Sequence, residues 1–308
     1  MPPPATSLPA PPLQDVPPHT LAPDASPEDS STTAAESWDL VIRAGLSEKN
    51  YWRDLWRYRE LLYFLTWRDI LIRYKQTVAG AAWAIIRPLL TTVVFTIIFG
   101  RFGNFPSGGV PYPIIVLAAM LPWQFFSSAL TASTQSLVMS SNLISKVYFP
   151  RMIVPMSTLG VALVDFAVTL GILFLFMLGY GVAPSWRLMA IPAFTLLAMM
   201  AALGPGLLIS ALMVKYRDFK YVVPFLVQLG TYVSPVGFSS SVVPEQWRLL
   251  YSCNPIVGPI DGFRWAIYGE SAGLYLPAFL FSCTVSAITL GAGIWYFRRA
   301  EKTFADVI

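Results

Sequence analysis

Between Trp83 and Phe297 the sequence is a succession of seven apolar stretches separated by short, mostly basic loops such as residues 215–220. A helical run of roughly 20 apolar residues crosses a hydrocarbon layer of about 30 Å. Backbone in that layer must satisfy its own hydrogen bonds, which these runs do by winding into helices. The expected fold class is therefore an all-α membrane protein. With 55% hydrophobic and only 12% charged residues, the chain carries more apolar surface than one soluble core of this length buries.

Six of the stretches read as spans: residues 83–99, entered through Arg87-Pro88; 112–139, kinked near Pro122; 152–178; 188–214, through Gly204-Pro205-Gly206; a fifth from Tyr221 that loses helical character around 234–237; and 274–297, stopping at Arg298-Arg299. The remaining stretch, 245–270, is cut by Asn254-Pro255 and Gly258-Pro259 into two pieces of roughly ten residues, neither of which can span. Broken backbone at membrane depth is tolerated inside protein or beside a wet cavity, so this stretch reads as a re-entrant helix pair. Basic residues are concentrated on one side: the Arg43 to Arg87 group, Lys146, Arg151, Lys215, Arg217, Lys220, Arg298, Arg299 and Lys302 fall together, against Arg101, Arg187, Arg248 and Arg264 opposite. The positive-inside bias then places both termini in the cytoplasm.

Three regions are expected. Residues 1–36 are rich in Pro, Ala, Ser and Thr with no Lys or Arg, a composition that cannot offset the entropy of ordering and predicts a disordered tail. Residues 37–81 hold an amphipathic interface segment, with Trp52, Leu55, Trp56, Tyr63, Trp67, Ile70 and Tyr74 broadly on one helical stripe and arginines mostly elsewhere. Residues 82–308 form the six-span domain.

Little chemistry lies between the spans. The chain has no Gly-x-x-x-x-Gly-Lys-Ser/Thr phosphate loop, no metal-ligand spacing, and one histidine, His19, in the tail. Cys253 and Cys283 make neither a disulfide framework nor a metal site and read as small buried apolar residues. Asp218 and Asp261 are isolated carboxylates beside cations. An enzyme is the poorer reading. The modest net charge of +4, spread by topology, argues against nucleic acid.

Asp165 is the one charge inside an expected span, which calls for a partner or a wet path. It belongs to a conduit or a gate, or makes an interhelical hydrogen bond, or lies closer to an interface than these bounds place it. The later half of the second span, with Ser127, Ser128, Thr131, Ser133, Thr134, Gln135 and Ser136, is either a conduit wall or packing glue. Phe125, Phe126 and Tyr232 offer flat faces to sugar rings, or are ordinary anchors. The loop 141–151 alternates apolar Leu143, Ile144, Val147 and Phe149 with Asn142, Ser145 and Lys146 before Pro150. It reads as a knob for a partner's groove or as a membrane-surface turn.

An ordered series of motifs then resembles one family. The series is Tyr51-Trp-Arg-Asp54, Ile72-Arg-Tyr-Lys75, Gly80-Ala-Ala-Trp-Ala-Ile-Ile-Arg-Pro88, Leu121-Pro-Trp-Gln-Phe125, Asn142-Leu-Ile-Ser-Lys-Val-Tyr-Phe-Pro-Arg151, Lys215-Tyr-Arg-Asp218, Asn254-Pro255, Tyr296-Phe-Arg-Arg299 and Thr303-Phe-Ala-Asp-Val-Ile308. Together they resemble the membrane (permease) subunits of polysaccharide and polyol-phosphate ABC exporters, of the O-antigen, capsule and teichoic-acid type. The resemblance covers everything but the tail. It implies a homodimer joined to two ATP-binding subunits in a bacterial inner membrane, moving a lipid-linked glycan. No cofactor is then expected on this chain, since ATP and Mg would sit on the partner. An exporter of a drug or small lipid, and less so an ATPase-independent secondary transporter, remain alternatives.

The resemblance also implies residue roles. Asn142, Leu143, Ile144, Lys146, Val147, Phe149 and Arg151 correspond to an ATPase-coupling helix, and Lys215, Arg217 and Asp218 form a second cytoplasmic loop. Trp247, Asn254, Pro255, Asp261 and Arg264 lie on the outer gate pair. Phe125, Phe126, Ser127, Thr131, Gln135, Asp165 and Tyr232 remain the conduit candidates read from the residues themselves.

Overall fold

The computed structural model describes residues 51–75, 80–103, 109–269, 274–302 and 304, with the side chains of residues 80 and 81 excepted. The expected disordered tail lies outside these residues. Among the described residues the structure is helical, with no strand.

Five helices are long and apolar enough to cross a membrane: 82–102, 112–139, 153–179, 186–215 and 276–301. They coincide with five of the six expected spans. The first begins as α3, Gly80–Phe95, and continues as a wider π-helical turn through Thr96–Phe102. The second, α4 (Tyr112–Met139), runs on through Pro122. The third, α6 (Ile153–Gly179), ends in a left-handed glycine, Gly181 at φ 69°. There the Val182 and Gly181 N–H groups donate back to Met177 and Leu178 carbonyls, a close that only glycine accepts without strain. The fourth, α7 (Ile191–Lys215), follows a 3-10 turn at Trp186–Ala190. The last, α11 (Leu276–Glu301), does not stop at Arg298-Arg299 as expected but carries both arginines into its final turn. Basic residues there complement the carbonyl end of the helix dipole.

The sixth expected crossing is α8, Phe219–Val233, which ends where the sequence suggested, just before Ser234. Its 15 residues rise only about 22 Å, short of a full hydrocarbon layer. The short pair is α9 (Glu245–Tyr251) and α10 (Val257–Tyr268), separated around Asn254-Pro255. Gly258-Pro259 does not make a second cut. Pro259 falls in the first turn of α10, where an N–H has no intrahelical partner to lose.

Helix α4 is the centre: 78% of its spanning window is buried, against 17% for the first span and 22% for the last. It packs against α6, α7 and α10. Around its middle sits a chain of edge-on rings, Phe125–Phe166–Phe263, with Phe194 and Phe279 continuing it at centroid spacings of 5.8–6.2 Å. A second buried cluster gathers Tyr51, Leu65, Leu137, Ile144, Phe149, Met152, Phe297 and Phe304. The two cysteines differ from expectation: Cys253 is exposed and Cys283 only partly covered.

The interface segment forms two helices, α1 (Tyr51–Arg57) and α2 (Arg59–Lys75). Hydrogen bonds through Tyr58 keep them nearly continuous. The side chains that pack inward are Tyr51, Leu65 and, partly, Leu55, Tyr58, Leu61 and Leu62. Trp52, Trp56, Tyr63 and Trp67 of the expected stripe face outward. Helix α2 runs parallel to α6. The Thr66 hydroxyl donates to the Ser157 carbonyl (3.2 Å), and its methyl lies where a Cβ on Gly160 would stand.

Candidate functional site: a polar cavity beneath the first span

A cavity of about 890 Å³ opens between α2, α3, α4 and α6, within the roughly 300–1,000 Å³ range of ligand sites. One wall is a stripe of α4: Gln124, Ser127, Ser128, Thr131 and Gln135, spaced three and four apart so that they share a helical face. The hydroxyls of Ser127, Ser128 and Thr131 donate to carbonyls three or four residues back, at 2.8–3.2 Å. Their protons are thus used internally, which leaves oxygen lone pairs turned to accept. The opposite wall carries Arg68, Asp69 and Arg73 of α2 and Arg87 of α3, with Leu65, Ile72 and Trp83 among them.

Five of the seven conduit candidates therefore come together here: Phe125, Ser127, Thr131, Gln135 and Asp165. The other two do not. Phe126 is buried in the core beside Trp123, and Tyr232 is exposed on α8. Asp165 is partnered and also lines the cavity. It receives the Tyr74 hydroxyl on one carboxylate oxygen and the Arg73 guanidinium at 2.7 Å on the other, while still lining the cavity. Burial, then the hydrogen bond to Asp165, pushes the Tyr74 hydroxyl up to about 12, so it stays a donor at neutral pH. This ties the end of α2 to mid-α6.

Replacing Asp165 by Asn removes that anchor. The expected loss is about 1–2 kcal/mol of docking energy, or roughly five- to thirtyfold faster tryptic cleavage after Arg73 and Lys75. Asp69→Asn, whose only ion pair among the described residues is with neighbouring Arg68, should leave cleavage unchanged.

The 142–151 loop splits into two populations. The helical part is one turn, α5, Ser141–Ile144. Ile144 and Phe149 are buried in the chain's own second cluster, Leu143 and Arg151 are partly covered, and Asn142, Lys146, Val147 and Tyr148 are exposed. Of the apolar residues in the loop, Ile144 and Phe149 thus mount it, and Val147 and Tyr148 project from it. Arg151 fixes the mount. Its N–H donates to a Glu301 carboxylate oxygen at 2.7 Å, its guanidinium reaches the Glu301 carbonyl at 2.6 Å, and the Phe304 ring lies beneath. Arg298 stacks on Tyr51, whose hydroxyl is pushed far up by burial and then by the nearby Glu301 carboxylate. Lys215, Arg217 and Asp218 are all exposed.

At the other end, the short pair fastens the segment that follows α8. Asn254 donates to Ser234 (2.9 Å), Arg264 to the Val236 carbonyl (3.2 Å), Tyr112 to the Gly237 carbonyl (2.6 Å) and Ser240 to Asp261 (2.6 Å). Pro255 contributes its carbonyl to Ser282 and Ser286. Arg264 is wholly buried, whereas Trp247 is exposed on α9. Sequence reasoning missed Arg68, Arg73, Arg87, Gln124 and Trp83 as members of one site. The available signal was three arginines on otherwise apolar or amphipathic segments entering the first span.

The profile of the family described as ABC-2 type transporter matches residues 60–268. Over 251 residues the chain is 25% identical to an O-antigen export system permease protein of Klebsiella pneumoniae, covering 81% of this chain and 95% of that one. Over 260 residues it is 25% identical to an O-antigen export system permease protein of Myxococcus xanthus, covering 83% and 98%. It is also 23% identical over 246 residues to a polysialic acid transport protein of Escherichia coli, covering 76% and 91%.

Proposed function

Because the chain belongs to the ABC-2 type transporter family, we propose that it is the membrane subunit of an ATP-driven exporter of lipid-linked polysaccharide in a bacterial inner membrane. The observation that carries the reading is the cavity: a hydroxyl- and amide-lined wall held open inside an apolar helix bundle. The O-antigen and capsule-type relatives, matched over three-quarters or more of this chain, support the substrate class. The chain works as a homodimer with two separate ATP-binding subunits, consistent with its lack of a phosphate loop. Six crossings, with α8 as the fifth, return the C-terminus to the cytoplasm. The α1–α2 pair presents its outward tryptophans to the lipid interface.

In this mechanism, ATP binding closes the partner subunits against Val147, Tyr148 and the 215–220 loop. Force passes through Arg151 and Glu301 to α11, and through Ile144 and Phe149 to α4 and α6. The spans shift as packed bodies, because close-packed interiors transmit displacement. The lipid anchor crosses while the glycan threads between the two copies and past α9–α10.

Deleting the chain should remove surface polysaccharide and leave lipid-linked glycan on the cytoplasmic side. The tagged chain should also co-purify with an ATP-binding protein. Unchanged surface polysaccharide, or ATP hydrolysis by the chain alone, would overturn the reading. The gate assignment has its own test. In a background of Cys253→Ser and Cys283→Ser, cysteines at Ser234 and Asn254 should cross-link across their hydrogen bond and bring export to background until reduced. Undiminished export with full cross-linking removes the gate from the mechanism.

A further inference from the structure

Residues 234–240 follow α8 as a strap without α-helix, buried over 234–237. Side chains meet the carbonyls of this strap and its entry: the Tyr251 hydroxyl donates to Val233 at 2.7 Å, Arg264 to Val236 at 3.2 Å and the Tyr112 hydroxyl to Gly237 at 2.6 Å. Irregular backbone within a membrane protein needs such partners. It does not need the arrangement of charge found here. Arg264 is wholly buried, yet its Nε and Nη1 have no acceptor among the described residues. The hydroxyls of Tyr112, Tyr251 and Tyr268 lie close enough to feel its charge, but among the described residues it forms no ion pair. Asp261 stands three residues earlier on α10, a spacing at which opposite charges on a helix meet. Its carboxylate instead accepts from the Ser240 hydroxyl at 2.6 Å. The two charges are thus turned away from each other, each onto the same strap. The strap also touches the first span. The Phe99 ring, in the π-helical turn of that span, lies where a Cβ on Gly237 would stand.

We propose that residues 234–240 are a latch with two alternative sets of bonds. Seated, the strap gives its Val236 carbonyl to Arg264 and its Ser240 hydroxyl to Asp261. Lifted, it takes both away together, and Arg264 and Asp261 close on each other as an ion pair within α10. That pair offsets part of what the strap gives up, because it engages donors that the seated state leaves unmet. The two states are therefore close in free energy, and the strap lifts and reseats without a ligand of its own. Contact between Phe99 and Gly237 connects this exchange to the first span, so that a shift of the span reaches the strap directly. The latch rests on the reading of the short pair as the outer gate and supplies the means by which that gate is released.

The test uses the full chain in lipid nanodiscs without nucleotide, in a background of Cys253→Ser and Cys283→Ser, which removes both cysteines. Val236→Cys then puts a thiol where the seated strap leaves no exposure. Its rate of labelling by a water-soluble maleimide reads how often the strap lifts. Ser240→Ala removes a bond of the seated state alone and should raise that rate about fivefold. Asp261→Asn still accepts from Ser240 but cannot form the ion pair, so the rate should fall about fivefold below the parent. Arg264→Met, which loses one bond seated and the ion pair lifted, should fall likewise, and Arg264→Lys should recover part of the rate. A strap that is merely anchored predicts no fall for either variant. Misfolding would raise labelling, so rates are read on protein that elutes as a single species. Labelling of both Asp261→Asn and Arg264→Met at or above the parental rate overturns the latch. So does labelling of Ser240→Ala at or below it. Failure of the exporter reading shows separately, as surface polysaccharide unchanged when the chain is deleted.

Discussion

Gly293→Val should yield little or no folded protein, while Gly291→Ala, two residues away on the same helix, should fold and melt as wild type. A Cβ on Gly293 would stand on the Gly204 carbonyl oxygen, and one on Gly204 would lie 2.6 Å from the Leu290 nitrogen. Both obstacles are backbone, so no rotamer change relieves them. Nothing lies within 4 Å of a Cβ at Gly291. In a bilayer, where lipid tails are as apolar as the helices, association depends on such close approach by small residues. The crossing sits at a critical place. Gly204 and Gly206 are two residues apart and therefore about 200° apart around α7. Gly204 meets α11, while a Cβ on Gly206 would lie 2.8 Å from the Ser133 hydroxyl of α4. Helix α7 is thus clamped between the central helix and the last span, and forcing α11 away opens the outer side of that clamp. Overpacking alone costs about 1–3 kcal/mol; with backbone on both sides the loss should reach the top of that range or pass it. Size-exclusion profile and thermal unfolding in detergent measure it, and a Gly293→Val protein that is monodisperse with an unchanged melting temperature would refute the clamp.

The spans were legible because length and hydropathy respond to one requirement, crossing a layer of fixed thickness. The second span matches its helix from Tyr112 to Met139, and the break at Asn254-Pro255 follows from backbone chemistry. What the pattern does not carry is which face of a span meets protein and which meets lipid, since both environments are apolar. Phe126 and Tyr232 looked alike as conduit candidates, yet one is core and the other surface. Along α1–α2 likewise, only the packing shows that leucines turn inward and tryptophans face out. Asp165 could be flagged from its position, but its partners Arg73 and Tyr74 lie 91 or more residues away in the chain. The cavity is a product of such distant pairings. Local spacing showed the α4 hydroxyl stripe, and only the packing of α2 and α3 across from it brings the arginines.

Val147→Asp combined with Tyr148→Asp should abolish export while leaving the protein folded, and Phe149→Asp should instead remove the protein from the membrane. All three residues belong to one short loop, and the sequence alone would group Val147 with Phe149 as uncoupling sites. Burial separates them. Val147 and Tyr148 are 50% and 57% exposed, whereas Phe149 is 4% exposed in the cluster of Leu137, Met152 and Phe297. A carboxylate at Phe149 would stand in place of an apolar ring among those apolar side chains, a burial costing roughly 4 kcal/mol or more. At Val147 and Tyr148 the new charges remain in water and cost the fold little, but they would oppose an apolar groove on a docking partner. Phe149→Leu should restore most of the stability and all of the export, because that position mounts the loop rather than contacting the motor. Glu301→Ala provides the intermediate case. It removes the carboxylate that holds the Arg151 N–H, so the partner should still bind, but its thrust should no longer reach α11 efficiently, and export should fall more than ATPase co-purification does. Surface polysaccharide, retained ATP-binding subunit and melting temperature, measured together, separate these outcomes. Normal export by a stably folded Val147→Asp, Tyr148→Asp protein would take the coupling role away from this loop.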